Sequence, residues 1–305
     1  MNIAVIGLGK LGQPLAVVAA RAGHRVWGFD INPEVSFEVG NLRATVDEPM
    51  LAEEMTECGD SLTTSLLLEE CVANTDIGYV IVPTPTVAGG GFTNKHVLEA
   101  VEQIGTALRG RSTHYTLVIC STVMPGSMEG EILSTLMVSS GRLLNDDHGL
   151  ALVYSPQFIA LGSVMHDMRN PDVLLVGTRQ KRGYEEVKQV AESIWERSDS
   201  RVAWLKPTEA EIVKLAINTY ITNKITFANV IGQVCAAAPD VDGYAVTRAI
   251  GLDSRIGSKY ILAGGPYGGP CFPRDTDAFA AFGDSFTAEA GLGQLAHAAS
   301  DINEL

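Results

Sequence analysis

The sequence predicts an α/β fold, in which a doubly wound parallel sheet precedes an all-helical domain built on one long helix. Short apolar strand patterns alternate with helical patterns up to about residue 205, as in parallel sheets covered by helices. A glycine-rich turn joins the first strand to the first helix. A nearly unbroken helical pattern then runs from Thr208 to Ala238. We place the two domains at residues 1–205 and 206–305.

The composition argues against several classes of partner. A net charge of -14 opposes binding to nucleic acid or to an anionic membrane. The cysteines are scattered without a C-x-x-C pair, which predicts a reducing compartment and no disulfide framework or zinc site. The histidines are isolated, so we expect no metal centre. Because no cationic leader or long apolar run opens the sequence, we expect a cytoplasmic protein.

The first strand, turn and helix carry the pattern of a dinucleotide site. Asn2–Ile6 is a β-branched run, and the next six residues form a G-x-G-x-x-G motif before a helix and a second strand. Gly7 permits the tight turn, Gly9 lets the backbone approach a pyrophosphate, and Gly12 allows close packing of helix and strand. Asp30 ends the second strand and would bind the adenosine ribose, which favours NAD over NADP. A glycine-rich turn can also bind nothing, but strand, helix and acid in register indicate a Rossmann-like NAD site.

Later strands end in hydroxyl-bearing turns. Thr84 follows a strand at 77–82, and Thr122 follows a strand at 116–120. Ligands of doubly wound sheets bind beyond the carboxyl ends of the strands, so both threonines are expected in the cofactor crevice. A single threonine there can equally be a capping residue, but two at equivalent places favour cofactor contacts. Other patterns predict a strand-turn unit at 151–162, a strand at 173–177, and helices at 49–57, 66–73, 95–108 and 184–195.

The long helix has both a start signal and a polar face. Thr208 and Glu211 have the spacing of a capping box. Lys214 and Asn218 stand four residues apart and therefore share a face. Apolar neighbours would desolvate Lys214 and lower its pKa, although a lysine whose charged end reaches solvent is the common alternative. Apolar residues on more than one face predict burial between domains or subunits: Ile212, Leu215, Ala216, Tyr220, Phe227 and Ile231.

Residues 264–275 pack four glycines and three prolines around Cys271. Glycine lets a backbone approach a ligand closely, and proline holds a loop in one shape. A cysteine becomes nucleophilic when a nearby cation and partial exposure favour its thiolate, and Arg274 could supply the cation. The alternative is a buried structural thiol in a tight turn.

Taken together, these motifs resemble the UDP-glucose/GDP-mannose dehydrogenase family over nearly the whole chain. The matching segments lie in order at 7–12, 83–85, 121–126, 214–218, 224–227, 251–257 and 268–275. The resemblance implies oxidation of a primary alcohol to a carboxylate with two NAD. Cys271 would capture the aldehyde as a thiohemiacetal, and a second hydride transfer would give a thioester for water to cleave.

The resemblance also implies roles for other residues. Lys214 and Asn218 would stabilise the developing alkoxide, Asp275 would orient a water or the lysine, and Thr122 would help to place that water. Arg255 would reach the substrate across a homodimer interface built on the helix at 208–238. The implied cofactor contacts are Gly7, Gly9, Leu11, Gly12, Asp30, Thr84, Thr122 and Arg274. The implied substrate contacts are Gln157, Phe158, Lys214, Asn218, Arg255, Tyr260 and Gly268.

Three departures from the family pattern bear on these expectations. The family's Pro-Glu-Phe-Leu-(Arg/Ala)-Glu-Gly segment lacks both carboxylates here, and Gln157 cannot serve as a general base for thioester hydrolysis. Arg274 replaces a lysine, which keeps the charge and changes its geometry. The resemblance ends at Leu305, where family members continue into a second Rossmann-like domain, so we interpret the sequence as a short form without that nucleotide-binding domain.

Several functions therefore stay open. The first is NAD-dependent oxidation of a sugar or sugar nucleotide to the carboxylate through Cys271. The second is a dehydrogenase for a smaller substrate, such as a sugar phosphate, a nucleoside or a nucleoside monophosphate. Its oxidation would end at the acid or stop at the aldehyde. Related hydroxyacid dehydrogenases also use a lysine on the helix after the sheet but do not need Cys271. A catalytically inactive cofactor-binding or scaffolding relative is disfavoured, because the sequence retains the lysine, asparagine, cysteine and aspartate together.

Overall fold

The computed structural model describes residues 1–145, 149–286 and 291–304. The chain forms two compact units, Met1–Thr84 with Asn94–Glu211, and Pro85–Thr93 with Ile212–Leu305. The division follows Glu211 rather than residue 205, so the start of the long helix belongs to the first unit. The sequence pattern also did not indicate that Pro85–Thr93 would join the second unit.

The first unit contains an eight-stranded sheet in the order β3-β2-β1-β4-β5-β6-β7-β8. The strands are β1 Asn2–Ile6, β2 Arg25–Phe29, β3 Leu62–Thr64, β4 Ile77–Val80, β5 Tyr115–Ile119, β6 Leu150–Tyr154, β7 Val173–Gly177 and β8 Arg201–Leu205. The β6–β7 pair is antiparallel and the other pairs are parallel. The strand order reverses between β1 and β4, which is where doubly wound sheets bind ligands. The prediction of a doubly wound Rossmann-like sheet is confirmed.

The helices of the first unit cover the sheet. They are α1 Gly12–Arg21, α2 Pro33–Gly40, α3 Leu51–Thr56, α4 Leu68–Ala73, α5 Lys95–Ala107, α6 Leu133–Ser140, α7 Val164–Arg169 and α8 Lys181–Ile194, with a π-helix at Met128–Ile132 before α6. The core is centred on β1 and α1, because β1 is buried from Ile3 to Ile6 and α1 from Gly12 to Ala20. Small alanines on α1 allow this close approach to the sheet.

The second unit contains one short hairpin, several helices and a long loop at 251–271. Helix α9, Pro207–Ala236, continues into it from the first unit, and α10 Gly243–Ile250, α11 Phe272–Asp284 and α12 Gln294–Asn303 follow. The hairpin lies at Pro85–Thr93 and is closed by a bridge between Thr86 and Phe92. Helix α11 is joined to α9 by a hydrogen bond between the hydroxyls of Thr222 and Thr276, 3.0 Å apart.

The predicted capping box at the start of α9 is wrong. The helix begins at Pro207, and the carboxylate of Glu209 accepts the Lys206 N–H at 2.9 Å. The Thr208 hydroxyl instead donates to Glu129, and Glu211 bonds to a turn of the sheet unit. A long-range partner therefore replaces the local one at both predicted capping residues.

In the described part of the chain, no helix has both the length and the apolar character that a membrane crossing requires.

Candidate active site

At two positions of the glycine-rich turn, Gly7 and Gly12, the backbone leaves no room for any residue other than glycine. Gly7 has a φ of 95°, and a Cβ there would lie 2.2 Å from the carbonyl oxygen of Ile81. A Cβ on Gly12 would lie 1.8 Å from the carbonyl oxygen of Gly7, so this glycine packs against the turn itself. A Cβ on Gly9 would meet no atom within 4 Å. The backbone at Gly9 therefore faces open space, which fits a position where a pyrophosphate approaches.

Asp30 lies beside this turn, directly after β2. Its carboxylate accepts the Leu8 N–H at 2.8 Å and the Asn32 N–H at 2.9 Å. These bonds hold the carboxylate next to the glycines and leave lone pairs that can accept ribose hydroxyls. Leu11 is the N-cap of α1 and has no polar side-chain group, so the positive end of the α1 dipole is not capped by this residue. These residues fit an NAD molecule.

The turns after β4 and β5 are tied to each other. The Thr84 hydroxyl donates to the carbonyl oxygen of Thr122 at 2.7 Å. Ser121 accepts the Val82 N–H at 3.0 Å and donates to the Val82 carbonyl at 2.7 Å. Thr84 is buried, and its hydroxyl proton is used inside the protein rather than facing an open crevice. Thr122 is half-buried, and its backbone is the part that this network positions.

The loop after β6 carries the departures from the family pattern. The Gln157 amide is hydrogen-bonded to the Cys120 thiol and lies within 3.5 Å of the Ser155 carbonyl. Burial raises the pKa of Cys120 to about 12, so this thiol stays protonated. Gln157 and Phe158 are both half-buried.

The same loop is held by a carboxylate that sequence analysis missed. Glu48 accepts the Gly162 N–H at 3.0 Å and the Val164 N–H at 2.7 Å. Its partners lie more than a hundred residues away in sequence, so no local spacing could have indicated this contact.

Cys271 lies at the start of α11 in the second unit. It is exposed, whereas the other four cysteines are buried. One turn further along, Asp275 is buried, and its N–H donates to the Cys271 carbonyl at 2.9 Å. Asn218 on α9 donates to the Asp275 carboxylate at 2.6 Å. The structure therefore brings the Asn218 and Asp275 side chains into contact, one helical turn away from Cys271.

Lys214 completes this cluster. It is 7% exposed, and burial lowers its pKa. The charges of Asp275 and Cys271 oppose that effect, whereas Arg274 adds to it. The sequence-based expectation of a desolvated lysine is confirmed. A lysine with a lowered pKa gives up its proton more readily than an exposed lysine and can act as a base.

Phe92 is a residue of this cluster that sequence analysis missed. The Arg274 guanidinium lies over the Phe92 ring, 4.5 Å from its centroid. The guanidinium also lies 3.4 Å from the Asp275 carboxylate. The hairpin packs closely here, because a Cβ on Gly90 would come within 3.0 Å of the Asp277 carbonyl oxygen. The glycine-rich segment at 88–94 thus supports α11, and its sequence gave no signal of a partner so distant along the chain.

Three other predicted substrate contacts, Arg255, Tyr260 and Gly268, lie in the loop that precedes α11. Arg255 is exposed, and its guanidinium pairs with the neighbouring Asp253 at 2.6 Å. Tyr260 has a positive φ of 63° and lies edge-on to Phe272, the residue after Cys271, with ring centroids 6.4 Å apart. Gly268 is exposed, and its Cα faces open space. Across the described residues, no three histidine, cysteine or acidic side chains are grouped in a way that could hold a metal.

Comparison with known proteins gives family matches along most of the chain. Residues 1–197 match the NAD binding domain of the UDP-glucose/GDP-mannose dehydrogenase family, and residues 208–305 match its central domain. The UDP-glucose 6-dehydrogenase AglM of Haloferax volcanii is 31% identical over the whole chain, which spans 70% of that protein. The GDP-mannose 6-dehydrogenase of Pseudomonas syringae is 29% identical over 96% of the chain, which spans 66% of that protein.

Solved structures agree with the fold. A UDP-glucose dehydrogenase from Pyrobaculum islandicum superposes with a TM-score of 0.89 at 33% identity, over 99% of this chain and 67% of that one. A GDP-mannose dehydrogenase from Pseudomonas aeruginosa has a TM-score of 0.79 at 24% identity, over 99% of this chain and 69% of that one, and shows the shared fold. The chain thus spans about two thirds of the length of these relatives.

Proposed function

Because the chain belongs to the UDP-glucose/GDP-mannose dehydrogenase family and its N-terminal domain is an NAD-binding domain, we propose that it oxidises the primary alcohol of a sugar nucleotide to a carboxylate. The observation that carries this proposal is the cluster of Cys271, Asp275, Asn218 and Lys214. The cluster combines one exposed thiol with a buried lysine, amide and carboxylate, and these groups suit the stepwise oxidation of an alcohol.

The surroundings of each side chain in this cluster suit it to one step of the proposed reaction. NAD, when bound, accepts a hydride in each of the two oxidations. Neutral Lys214 takes the hydroxyl proton of the alcohol, and the Asn218 amide stabilises the alkoxide that develops. Asp275 holds Asn218 in place and compensates the charge of the protonated lysine.

Cys271 then links the two oxidations. Its thiolate adds to the aldehyde carbon and forms a thiohemiacetal, whose C–S bond is retained when the second hydride leaves. The resulting thioester reacts with water, which releases the carboxylate and restores the thiol. The position at the start of α11 suits this role, because a negative charge near a helix N-terminus is stabilised by the helix dipole.

Gln157 supports a second candidate function, which is oxidation by two electrons only. An amide cannot deprotonate the hydrolytic water, and this one is hydrogen-bonded to the Cys120 thiol. Without thioester cleavage, turnover requires that the C–S bond of the thiohemiacetal breaks before the second hydride transfer, which restores the thiol and releases the aldehyde. The ratio of NADH formed to substrate consumed separates the two functions, because the acid requires two NADH and the aldehyde requires one.

We also propose that the protein is a homodimer through α9. Tyr220, Phe227 and Val234 are 65%, 52% and 63% exposed and are spaced seven residues apart. Residues at this spacing form one apolar stripe along a helix, and a second copy of the same helix would cover it. Phe227→Asp is expected to give a monomer in light scattering after gel filtration. A dimer that survives this substitution would contradict the assignment.

The proposed activity is tested by NADH formation with NAD and a substrate panel. The panel contains UDP-glucose, GDP-mannose, sugar phosphates, nucleosides and nucleoside monophosphates. We expect turnover of a nucleotide sugar, loss of acid formation in Cys271→Ala, and nearly full activity in Cys235→Ala, which removes a buried thiol. Acid formation by Cys271→Ala at the wild-type rate would refute the thiohemiacetal route. The five free cysteines agree with the predicted cytoplasmic location, which stays a prediction.

A further inference from the structure

Glu211 is a buried carboxylate with partners far away in the sequence. It is fully buried just after the first turn of α9, three residues before Lys214. One carboxylate oxygen accepts the Gly126 N–H at 2.7 Å, and the other accepts the Met128 N–H at 2.8 Å. Both oxygens thus bond to backbone donors of the turn after β5, residues 121–128, and the Ser127 backbone also stabilises the charged carboxylate.

This turn needs an external acceptor. Gly126 has a φ of 95°, and a π-helix begins at Met128, so the backbone N–H groups here lack the partners of a regular α-helix. Ser127 is the N-cap of the π-helix, but its side chain makes no capping hydrogen bond. Glu211 supplies the missing cap from another element.

The opposite end of the same turn is held by the β4 turn. Ser121 is bonded twice to Val82, and the Thr122 carbonyl accepts the Thr84 hydroxyl. Glu211 therefore holds the second end of a segment whose first end carries Thr122.

The burial of this acid has a cost that its partners partly offset. Burial raises the pKa of Glu211 to about 7, and backbone hydrogen bonds from Met128, Gly126 and Ser127 oppose the rise. Glu129 adds to the rise as a nearby negative charge, and it is itself paired with Arg179 and bonded to the Thr208 hydroxyl. A buried acid that accepts hydrogen bonds from the Gly126 and Met128 N–H groups is more than a solvated residue at a helix start.

We propose that Glu211 is a positioning residue, which holds the turn at 121–128 in the conformation that places Thr122 for NAD binding. The inference rests on the proposed function, since Thr122 contributes to the cofactor site only in an NAD-dependent enzyme. Glu211 acts through the turn and does not itself contact the reacting atoms.

Glu211→Gln, made in the whole two-unit chain, tests this role. The glutamine has the same shape but one acceptor oxygen, so it can bond one of the two N–H groups and presents its own N–H₂ to the other. Glu209→Gln is the matched control, because Glu209 lies two residues away on the same helix but is exposed, and its carboxylate accepts the N–H of the neighbouring Lys206. Circular dichroism and thermal unfolding show whether both variants are folded.

The first measurement is hydrogen exchange of the backbone amides at 126–128. We expect their protection factors to fall about tenfold or more in Glu211→Gln, whereas those of β1 stay unchanged and Glu209→Gln resembles wild type. The second measurement is steady-state kinetics. We expect the KM for NAD to rise about tenfold while kcat changes less, because a general loss of stability would not raise KM selectively.

The two measurements separate this inference from the proposed function. Unchanged amide protection in Glu211→Gln would overturn the inference, as would a KM for NAD equal to that of Glu209→Gln. A wild-type protein without NAD binding or turnover would overturn the proposed function and, with it, the positioning role. In that case, lost amide protection in Glu211→Gln would still show that Glu211 caps the turn.

Discussion

Substitution of Gly7 by alanine tests whether the glycine-rich turn has the geometry described above. The added Cβ would lie 2.2 Å from the Ile81 carbonyl oxygen and 3.0 Å from its carbon, which are backbone atoms that cannot rotate away. The residue would also keep a φ near 95°, which L side chains rarely adopt. Both effects act in the same direction, because the turn has to move to relieve either of them.

The expected cost follows from these two contributions. A left-handed backbone costs a residue with a Cβ about 1–2 kcal/mol, and overpacking of a rigid site costs about 1–3 kcal/mol. We therefore expect the free energy of unfolding to fall by about 3 kcal/mol. In a unit of this size, each kcal/mol lost from the free energy of unfolding lowers the Tm by about 2–4 °C. We therefore expect the Tm to fall by roughly 10 °C.

Gly9→Ala is the matched control within the same motif. A Cβ there would meet no atom within 4 Å, and the backbone is not in the left-handed region. We expect unchanged or slightly higher stability, within about 1 kcal/mol of wild type, because alanine restricts the unfolded chain. NAD affinity is nevertheless expected to fall about tenfold or more, since the methyl group occupies the approach path of the pyrophosphate.

Thermal unfolding and isothermal titration with NAD distinguish the two glycines. The described geometry of the turn is refuted if Gly7→Ala unfolds at the wild-type temperature, or if Gly9→Ala is as unstable as Gly7→Ala. Wild-type NAD affinity in a folded Gly9→Ala protein would remove the support that this position gives to the cofactor site.

Three further predictions follow from buried or paired groups. Iodoacetamide is expected to label Cys271 alone in the native protein, because the other thiols are buried; mass spectrometry that finds a second native site would contradict this. Phe92→Leu removes the ring under Arg274 and is expected to lower kcat/KM about three- to tenfold, whereas Phe92→Tyr keeps it; a double-mutant cycle with Arg274→Lys would show no coupling if the stack is irrelevant. The raised pKa of Glu211, about 7, contributes stability that is complete below its ordinary value near 4.5 and is lost as the pH rises through 7. Between pH 4 and 8, the stability of Glu211→Gln relative to wild type should thus rise by about 3 kcal/mol in urea unfolding, and a flat difference would contradict the burial of a titrating acid.

The elements that sequence analysis predicted well are those whose signal is local. The β1 strand, the glycine turn, α1 and β2 appear within about two residues of the predicted bounds. Lys214 and Asn218 share a buried face because a spacing of four residues in a helix requires it. Cys271 was identified from its own loop.

Two strands were not predicted. β3 has three residues, too few for a period-two pattern to show, and β8 is a half-exposed edge strand without a continuous apolar run. The hairpin at Pro85–Thr93 was predicted only as a turn before α5, because nothing in its sequence specifies packing on α11.

By itself, the sequence determined the first strand-turn-helix-strand unit, the long helix and the thiol loop, because these depend on residues that are neighbours along the chain. Only the tertiary structure decided what the buried charges bond to. Glu211 had the spacing of a capping residue, yet its partners lie 83 and 85 residues away. The sequence alone indicated that Arg274 brings a positive charge near Cys271. Its stacking partner, Phe92, comes from a hairpin that is distant along the chain. A buried polar group takes whichever partner the folded chain brings within 3 Å, and that choice is made by packing rather than by spacing along the sequence.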